Sequence, residues 1–184
     1  MNAKRRIPSE TTVAVLMGGW SAERQVSLSS GEACAGALRR AGFNVVPIDV
    51  TRERIVSILQ DLRPDVAFNA LHGKWGEDGC CAAVLETLQI PYTHSGVLAS
   101  SLAMHKEKSK AIFRAAGVPL AESKIVELEI VATQHPMPLP YVVKPIAEGS
   151  SFGVLIVPAD QAHPPQSLAR EDWAFGEEVM VERY

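Results

Sequence analysis

A lysine followed by a loop of small residues is the feature of this sequence best suited to holding phosphate. Lys144 ends the apolar stretch 141–144, and residues 148–153 (EGSSFG; the EGSS loop) contain two glycines and two serines. Exposed N–H groups and hydroxyls can donate to phosphate oxygens, and the lysine supplies a point charge. The arrangement is not a P-loop, because the lysine precedes the glycines and a strand is expected after them. An ordinary glycine–serine hairpin is the alternative.

Residues 18–24 (GGWSAER; the GGW loop) have the composition of a ligand-binding turn after a strand. Glycines let the backbone approach a ligand, and ligands of open α/β sheets bind at the carboxyl ends of strands. Glu23 could hold a substrate ammonium group, or it could begin a helix whose dipole favours an acid. Asp49 ends the next predicted strand, as a ribose-binding acid would. However, the chain has no Gly-x-Gly-x-x-Gly pattern, which argues against a dinucleotide site.

Residues 71–79 (LHGKWGEDG; the HGK loop) follow a third predicted strand and contain His72 and two acids. The sheet would bring this loop beside the GGW loop at one edge. The spacing of these groups, with Cys80 and Cys81, matches no zinc pattern, so no metal site is predicted within the chain. Asp78 is expected to cap the following helix.

Residues 104–110 (MHKEKSK) are a run of charges within a predicted helix. Such a run is usually a solvated face, and this interpretation places Lys108 and Lys110 in solvent.

Alternating strands and helices predict how the first two loops are positioned. The apolar run 13–17 is typical of a strand buried on both faces of a parallel sheet. The next segment has Cys34, Leu38 and Ala41 at i, i+4 and i+7, which predicts a helix that Gly42 ends. Strands at 43–50 and 65–71 alternate with helices near 55–62 and 81–88, which predicts a doubly wound α/β unit through residue 95.

The pattern changes after residue 96. A helix is expected over about residues 97–116, ended by Gly117. Short strands punctuated by proline then predict a smaller α+β unit with an antiparallel sheet. The strands are expected at 123–128, 141–144, 153–157 and 178–183, and loops at 131–140 and 158–170.

Composition limits the class of protein. The 184 residues are 47 % hydrophobic and 21 % charged, as in globular proteins, and the net charge of −3 implies no nucleic-acid partner. Three cysteines make no disulfide framework and are interpreted as reduced thiols. Neither a signal peptide nor a membrane span is predicted, so we expect a cytoplasmic protein with no membrane partner.

Five segments together resemble the D-alanine–D-alanine ligases in order and approximate spacing. The resemblance runs from about residue 12 to the last residue. It implies an α/β protein: an N-terminal doubly wound parallel sheet (pre-ATP-grasp, Rossmann-like) in residues 1–96, and part of an ATP-grasp α+β domain, its central subdomain, in residues 97–184. A C-terminal subdomain, absent from these 184 residues, would complete that architecture. The segments are residues 18–27, 71–79, 91–96, 104–110 and 143–154.

The family's activity is the ATP-dependent ligation of two D-alanines through an acyl phosphate, for peptidoglycan synthesis. The resemblance therefore implies ATP and D-alanine as ligands, and Mg²⁺ or Mn²⁺ whose ligands are expected in the missing C-terminal part. A homodimer is expected. Three alternatives remain open: a D-alanine–D-lactate ligase, another ATP-grasp carboxylate–amine ligase, and a non-catalytic nucleotide-binding fragment.

Roles carry over position by position. The resemblance implies that Glu23 holds the ammonium group of the first D-alanine, that Ser150 helps to orient Glu23, and that His72 lies near the substrate carboxylates. Lys106 and Lys144 should contact ATP phosphates, with Lys144 also near the base.

The remaining nucleotide-binding residues implied are Ser151, which should donate to phosphate, and Glu182, which should sit at the adenine. Glu148, Gly149 and Arg183 complete this set. The chain also departs from the family's pattern. His94 replaces a glycine, His105 replaces a frequent aspartate, and residues 146–147 lack a common basic residue.

Overall fold

The computed structural model describes residues 7–169 and 173–184, which form two compact units, one ending at Ser101 and one running from Leu102 to Tyr184. The first unit contains strands β1 (Thr12–Gly18), β2 (Asn44–Val50) and β3 (Val66–Asn69) and helices α1 (Arg24–Arg40), α2 (Ile55–Leu62) and α3 (Cys80–Thr87). Helix α4 (Val97–Met104) spans the boundary. The second unit contains helices α5 (Lys106–Ala115) and α6 (Leu128–Thr133) and strands β4 (Ser123–Glu127), β5 (Tyr141–Pro145), β6 (Leu155–Val157) and β7 (Glu178–Arg183).

Strand β1 is the centre of a parallel sheet in the order β2-β1-β3. Every residue of β1 after the first is buried, because helices cover both faces of the sheet. Val13 and Val15 belong to a cluster that includes Ala35 of α1, whereas Ala14 and Leu16 belong to a cluster that includes residues of α2 and α3. The predicted doubly wound α/β arrangement is confirmed.

Helix α1 presents mainly small residues to the sheet. Its buried residues are Ser27, Gly31 and Ala35, whereas Cys34 and Leu38 are half-buried and Ala41 is exposed. The predicted helix is confirmed, and Leu38 packs against one core cluster, but the most buried positions of the helix are the small ones. The reason is close packing, since a Cβ placed on Gly31 would lie 2.4 Å from the Cβ of Met17.

We expect Gly31→Ala to destabilise the protein by about 1–3 kcal/mol, because an added methyl group would overpack the contact with Met17. Gly36→Ala is the matched control on the same helix, since its nearest neighbour would be Arg40 Nη1 at 3.4 Å. This control should stabilise the protein by about 0.5–1 kcal/mol through helix propensity. Urea unfolding measures both, and equal effects of the two substitutions would contradict the packing explanation.

The second unit is built on an antiparallel sheet in the order β4-β7-β5-β6. Its core contains Tyr141 and Val143 of β5 and Val179 and Val181 of β7, all fully buried. Helix α6 covers this core with Val131 and Ala132. The predicted α+β unit with an antiparallel sheet is confirmed, and β7 has the bounds that the sequence predicts.

Three predicted segments differ from the structure. The helix expected over 97–116 is interrupted at His105, whose extended backbone (φ −96°, ψ 97°) separates α4 from α5. The loop expected over 131–140 begins only after α6, because the prolines of this segment follow the helix and Val131 is buried. Within the loop expected over 158–170, a short 3-10 helix spans Gln166–Ala169, and residue 170 lies outside the described residues.

In the part of the chain that the structure describes, no helix combines the length and the apolar character that crossing a membrane requires.

Candidate functional site

In the first unit, the GGW and HGK loops meet at the carboxyl edge of the parallel sheet, as the sequence predicts. Ser21 Oγ donates to the carbonyl oxygen of His72 at 2.8 Å. The ring centroids of Trp20 and Trp75 lie 4.8 Å apart. Each loop therefore contributes both a polar and an aromatic contact to the other, which fixes their relative position.

Ser27 fixes the strand ends beneath the two loops, a role that the sequence analysis missed. Its buried hydroxyl accepts from the Gly18 N–H at 2.9 Å and donates to the Ala70 carbonyl oxygen at 2.7 Å. The hydroxyl thus joins the end of β1, helix α1 and the residue that follows β3. The available signal was its place as the last residue of the motif at 18–27.

Glu23 is enclosed by the two loops. It is 4 % exposed and directly precedes α1, where the helix dipole stabilises a carboxylate. A Cβ on Gly73 would lie 2.7 Å from Glu23 Oε2, and Gly73 has φ +69°. Only glycine suits this backbone and this close approach, so the HGK loop brings its main chain against the carboxylate.

The imidazole of His72 contacts Ser30 through Nε2 and lies beside Glu77. Ser30 Oγ lies 3.0 Å from His72 Nε2 and donates to the Val26 carbonyl oxygen at 2.9 Å. Because the serine hydrogen is used in that bond, we assign the ring hydrogen to Nε2. His72 Nδ1 lies 3.9 Å from Glu77 Oε1, and the other oxygen of Glu77 accepts from the Gly73 N–H at 2.6 Å. Ring nitrogen and carboxylate thus face each other near Glu23.

Asp49 is bound to Arg24 and not presented as a ribose acceptor. Both oxygens of Asp49 lie 2.7 Å from guanidinium nitrogens, and the hydrogen bonds from Arg24 hold the pKa of Asp49 below its ordinary value. A Cβ on Gly18 would lie 2.1 Å from Asp49 Oδ1. The acid therefore supports the GGW loop, which agrees with the argument against a dinucleotide site.

Asp78 binds the start of α3 from one residue before the N-cap position, which Gly79 occupies. Its Oδ1 accepts from the N–H of Cys80, the first residue of the helix, at 3.0 Å, and its Oδ2 accepts from the Trp75 N–H at 2.8 Å. Among the described residues, no group of three or more His, Cys, Asp or Glu side chains is placed to hold a metal ion. Cys34, Cys80 and Cys81 are free thiols, and burial raises the pKa of Cys81 to about 12.

In the second unit, Glu182 of β7 lies between two lysines. The ammonium group of Lys144 on β5 binds one carboxylate oxygen, and that of Lys110 on α5 binds the other. Burial opposes ionisation of Glu182, but the hydrogen bonds from Lys110 and Lys144 outweigh burial and hold its pKa below the ordinary value. Glu182 is therefore a carboxylate at neutral pH.

Lys110 does not lie on a solvated face, so this prediction is wrong, whereas Lys108 is exposed as expected. The Lys110 side chain is only 11 % exposed, and its Nζ also donates to the Ala121 carbonyl oxygen at 2.7 Å. Two residues along a helix correspond to a rotation of about 200°, so the two lysines point to opposite sides of α5. The sequence signal was the final lysine of the motif at 104–110.

Lys106 is joined to the segment that leads into the EGSS loop. Its N–H donates to the Ile146 carbonyl oxygen at 2.9 Å, and its Nζ donates to the Glu148 carbonyl oxygen at 2.5 Å. Burial and then the positive charge of Lys144 lower the pKa of Lys106, although Glu148 and Glu182 oppose this. A bound anion beside these two lysines would relieve their repulsion.

The EGSS loop is a hairpin turn between β5 and β6 that holds two serines in left-handed conformations. Ser150 has φ +47° and Ser151 φ +61°, both uncommon for residues with side chains. The Phe152 N–H donates to the Gly149 carbonyl oxygen at 3.1 Å, and both serines are exposed. Backbone strain of this kind is concentrated at ligand clamps and active sites.

At the end of β7, Arg183 is exposed, and its N–H donates to the backbone of residue 122.

The two histidines that differ from the family's pattern, His94 and His105, occupy positions that require particular backbone conformations. His94 has φ +86°, which explains a glycine in the family, and its Nε2 lies 2.6 Å from the Asn69 carbonyl oxygen. His105 is the N-cap of α5, where its Nδ1 accepts from the Lys108 N–H at 3.4 Å. An aspartate would provide the same acceptor at that position.

Comparison with known proteins matches nearly the whole chain. The chain is 57 % identical over 176 residues to the D-alanine–D-alanine ligase of Rhizobium meliloti (strain 1021). The aligned region covers 96 % of this chain and 57 % of that relative. The chain is 60 % identical over 172 residues to the corresponding ligase of Parvibaculum lavamentivorans, with 94 % and 56 % covered.

This chain is homologous to the D-alanine–D-alanine ligases. It spans somewhat more than half the length of these ligases, 57 % and 56 % of the two named above. No family model matches it. The crystal structure of the D-alanine–D-alanine ligase from Bacillus anthracis matches the fold with a TM-score of 0.77 at 33 % identity, over 95 % of this chain and 57 % of the ligase.

Glu182→Gln should lower the free energy of unfolding at pH 7 by about 1–3 kcal/mol, because two half-buried lysines lose their charged partner. The native pKa of Glu182 is lowered, so the stability that its ionisation contributes is present above the ordinary value of 4.5. It is lost as the pH falls below that value toward the native pKa. In urea unfolding between pH 7 and pH 3, the free energy of unfolding of the variant should therefore approach that of the wild type as the pH falls. Glu178→Gln, on an exposed residue of the same strand, is the control and should give a constant difference.

Proposed function

We propose that this chain provides the D-alanine-binding and ATP-binding parts of a D-alanine–D-alanine ligase of peptidoglycan synthesis. The observation that carries the proposal is the lysine cluster of the second unit, in which Lys106 is joined to the backbone that leads into the EGSS loop and Lys144 precedes that loop. Relatives 57 % and 60 % identical to the chain are named D-alanine–D-alanine ligases. A Bacillus anthracis ligase structure complexed with ATP matches with a TM-score of 0.75 at 32 % identity.

The second unit, in this proposal, binds ATP. Lys106 and Lys144 provide positive charge for the phosphates, and the exposed hydroxyl of Ser151 can donate to phosphate oxygens. The ionised Glu182, beside Lys144, is suited to a base edge that donates hydrogen bonds. Glu148, Gly149 and Arg183 complete the proposed set. A divalent cation, Mg²⁺ or Mn²⁺, would supply further positive charge at the phosphates, and we assign none of the described residues to it.

The proposed reaction joins two anions in its first step. The carboxylate of one D-alanine attacks the γ-phosphoryl group of ATP, which gives an acyl phosphate and ADP. The amine of the second D-alanine then attacks the acyl carbon and expels phosphate. Cations are required to bring the carboxylate to the phosphates, and this is the role that we give to Lys106 and Lys144.

The first unit, in the same proposal, binds the first D-alanine. A buried carboxylate between two loops at the carboxyl edge of a parallel sheet is suited to an ammonium group, which places Glu23 at the substrate amine. His72, held by Ser30 and facing Glu77, would lie near the substrate carboxylates. We include Ser150 of the EGSS loop as a catalytic residue. A homodimer is part of the proposal.

The choice of second substrate is a separate question. The VanG D-Ala:D-Ser ligase structure from Enterococcus faecalis matches this chain with a TM-score of 0.69 at 26 % identity, so ligases of this fold include some that use another acceptor. Comparing product formation with D-alanine, D-lactate and D-serine as acceptors decides between them. Equilibrium ATP binding without any turnover would instead favour the non-catalytic alternative.

Lys144→Met should weaken equilibrium ATP binding by about 10- to 100-fold, because a charge-assisted hydrogen bond to the nucleotide is lost. Isothermal titration of ATP into the chain measures this effect. Lys124→Met, on the neighbouring strand β4 with an exposed lysine, is the matched control and should leave binding unchanged. An unaltered affinity in the Lys144 variant would remove this residue from the nucleotide site.

Glu23→Gln should raise the KM for the first D-alanine by at least about 10-fold, because the ammonium group loses its ion pair. D-alanine-dependent release of phosphate from ATP, measured on the protein as the cell makes it, is the assay. Glu32→Gln alters an exposed acid on the same helix and should have no effect. If both variants keep the wild-type KM, Glu23 does not bind the substrate amine.

A further inference from the structure

Lys110 has no part in the function proposed above, yet its ammonium group is largely buried and bound at two points. One acceptor is the Ala121 carbonyl oxygen at 2.7 Å, and the other is Glu182 Oε1. Glu182 Oε2 binds Lys144. The three side chains therefore form one connected row, with the carboxylate in the middle and Lys110 at the end away from Lys144.

The sheet fixes the backbone position from which the Glu182 side chain extends. Glu182 lies on β7 between β4 and β5, with its Cα opposite Ser123 on one side and Val142 on the other. The backbone of Glu182 is thus set by the sheet, and only its side-chain torsions are free to vary. Lys144 alone would hold one oxygen and leave the carboxylate plane free to rotate. Lys110, itself anchored to Ala121, holds the second oxygen and so fixes that plane.

An ionised carboxylate only accepts hydrogen bonds, and each of its oxygens can accept more than one. Glu182 can therefore bind a further donor while both lysines stay in place. The amino group at C6 of adenine is such a donor, whereas the carbonyl oxygen at C6 of hypoxanthine would be repelled by the carboxylate. If Lys110 fixes the orientation of the Glu182 carboxylate, the carboxylate cannot turn away from an unfavourable base, and the difference in binding between the two bases is larger.

We propose that Lys110 is a positioning residue that holds Glu182 in the orientation that selects a purine with an amino group at C6. This inference rests on the proposed binding of ATP by the second unit, and it adds the residue that sets the selectivity for the base. Lys110 itself need not touch the nucleotide, since it acts through Glu182. Lys106 and Lys144 are the other charged groups near this carboxylate, and they remain in every variant below.

The experiment compares ATP with inosine triphosphate, which differs at C6, in equilibrium titrations of the 184-residue chain. The wild type should bind ATP more tightly. Lys110→Met should weaken ATP binding by about 10- to 100-fold and change inosine triphosphate binding little, so that the preference falls by a similar factor. Lys110→Arg should restore part of the preference. Lys108→Met, an exposed lysine on the same helix, should match the wild type.

The outcomes separate the two proposals. If the wild type binds neither nucleotide, the proposed function and this inference fall together. If the wild type prefers ATP and Lys110→Met keeps the same preference, the inference alone is overturned. A merely structural role of Lys110 would weaken the binding of both nucleotides equally, and that result also overturns the inference. Should Lys110→Met fail to fold by circular dichroism, Lys110→Gln gives the same comparison, because it retains a donor for Ala121 without the charge.

Discussion

The second unit depends on one carboxylate placed among lysines. Without Glu182, the ammonium groups of Lys110 and Lys144 would repel each other in a partly desolvated place, and Lys106 would add to that repulsion. With Glu182, strand β7 is joined to helix α5 on one side and to β5 on the other by charge-assisted hydrogen bonds. The interaction that allows three lysines to be concentrated here therefore also connects the helix to the sheet.

In the first unit, three glycines allow the close contacts that position helix α1 and the loops. Where a side chain would otherwise intervene, a glycine lets main chain and side chain touch: Gly31 against Met17, Gly18 against Asp49, and Gly73 against Glu23. Each contact would be broken by a single methyl group. The two acids among these partners are consequently held close to loop glycines with positive φ, a conformation that residues with side chains seldom adopt.

The sequence was sufficient to predict both sheets, because short apolar runs alternate with helical spacing in the first unit and short strands are bounded by proline in the second. It was also sufficient to bring the GGW and HGK loops together, since parallel strands share a carboxyl edge. The inner face of α1 could not be predicted, because Ser27, Gly31 and Ala35 are small and carry little hydrophobic signal. The break at His105 has no proline or glycine to announce it. Lys110 was assigned to solvent because a charge run does not show which lysine meets a carboxylate brought from a distant strand. The roles given to individual site residues stay predictions.

The hydrogen-bonded ladders between the strands of the second sheet differ in length. Strand β6 pairs with β5 through three residue pairs, whereas β5 with β7 and β4 with β7 each pair through five. The EGSS loop is therefore joined to the sheet through the shortest of its ladders, whereas the backbone of Glu182 lies in the two longer ladders. Loss of the β5–β6 pairing would therefore leave the strand that carries Glu182 paired on both sides.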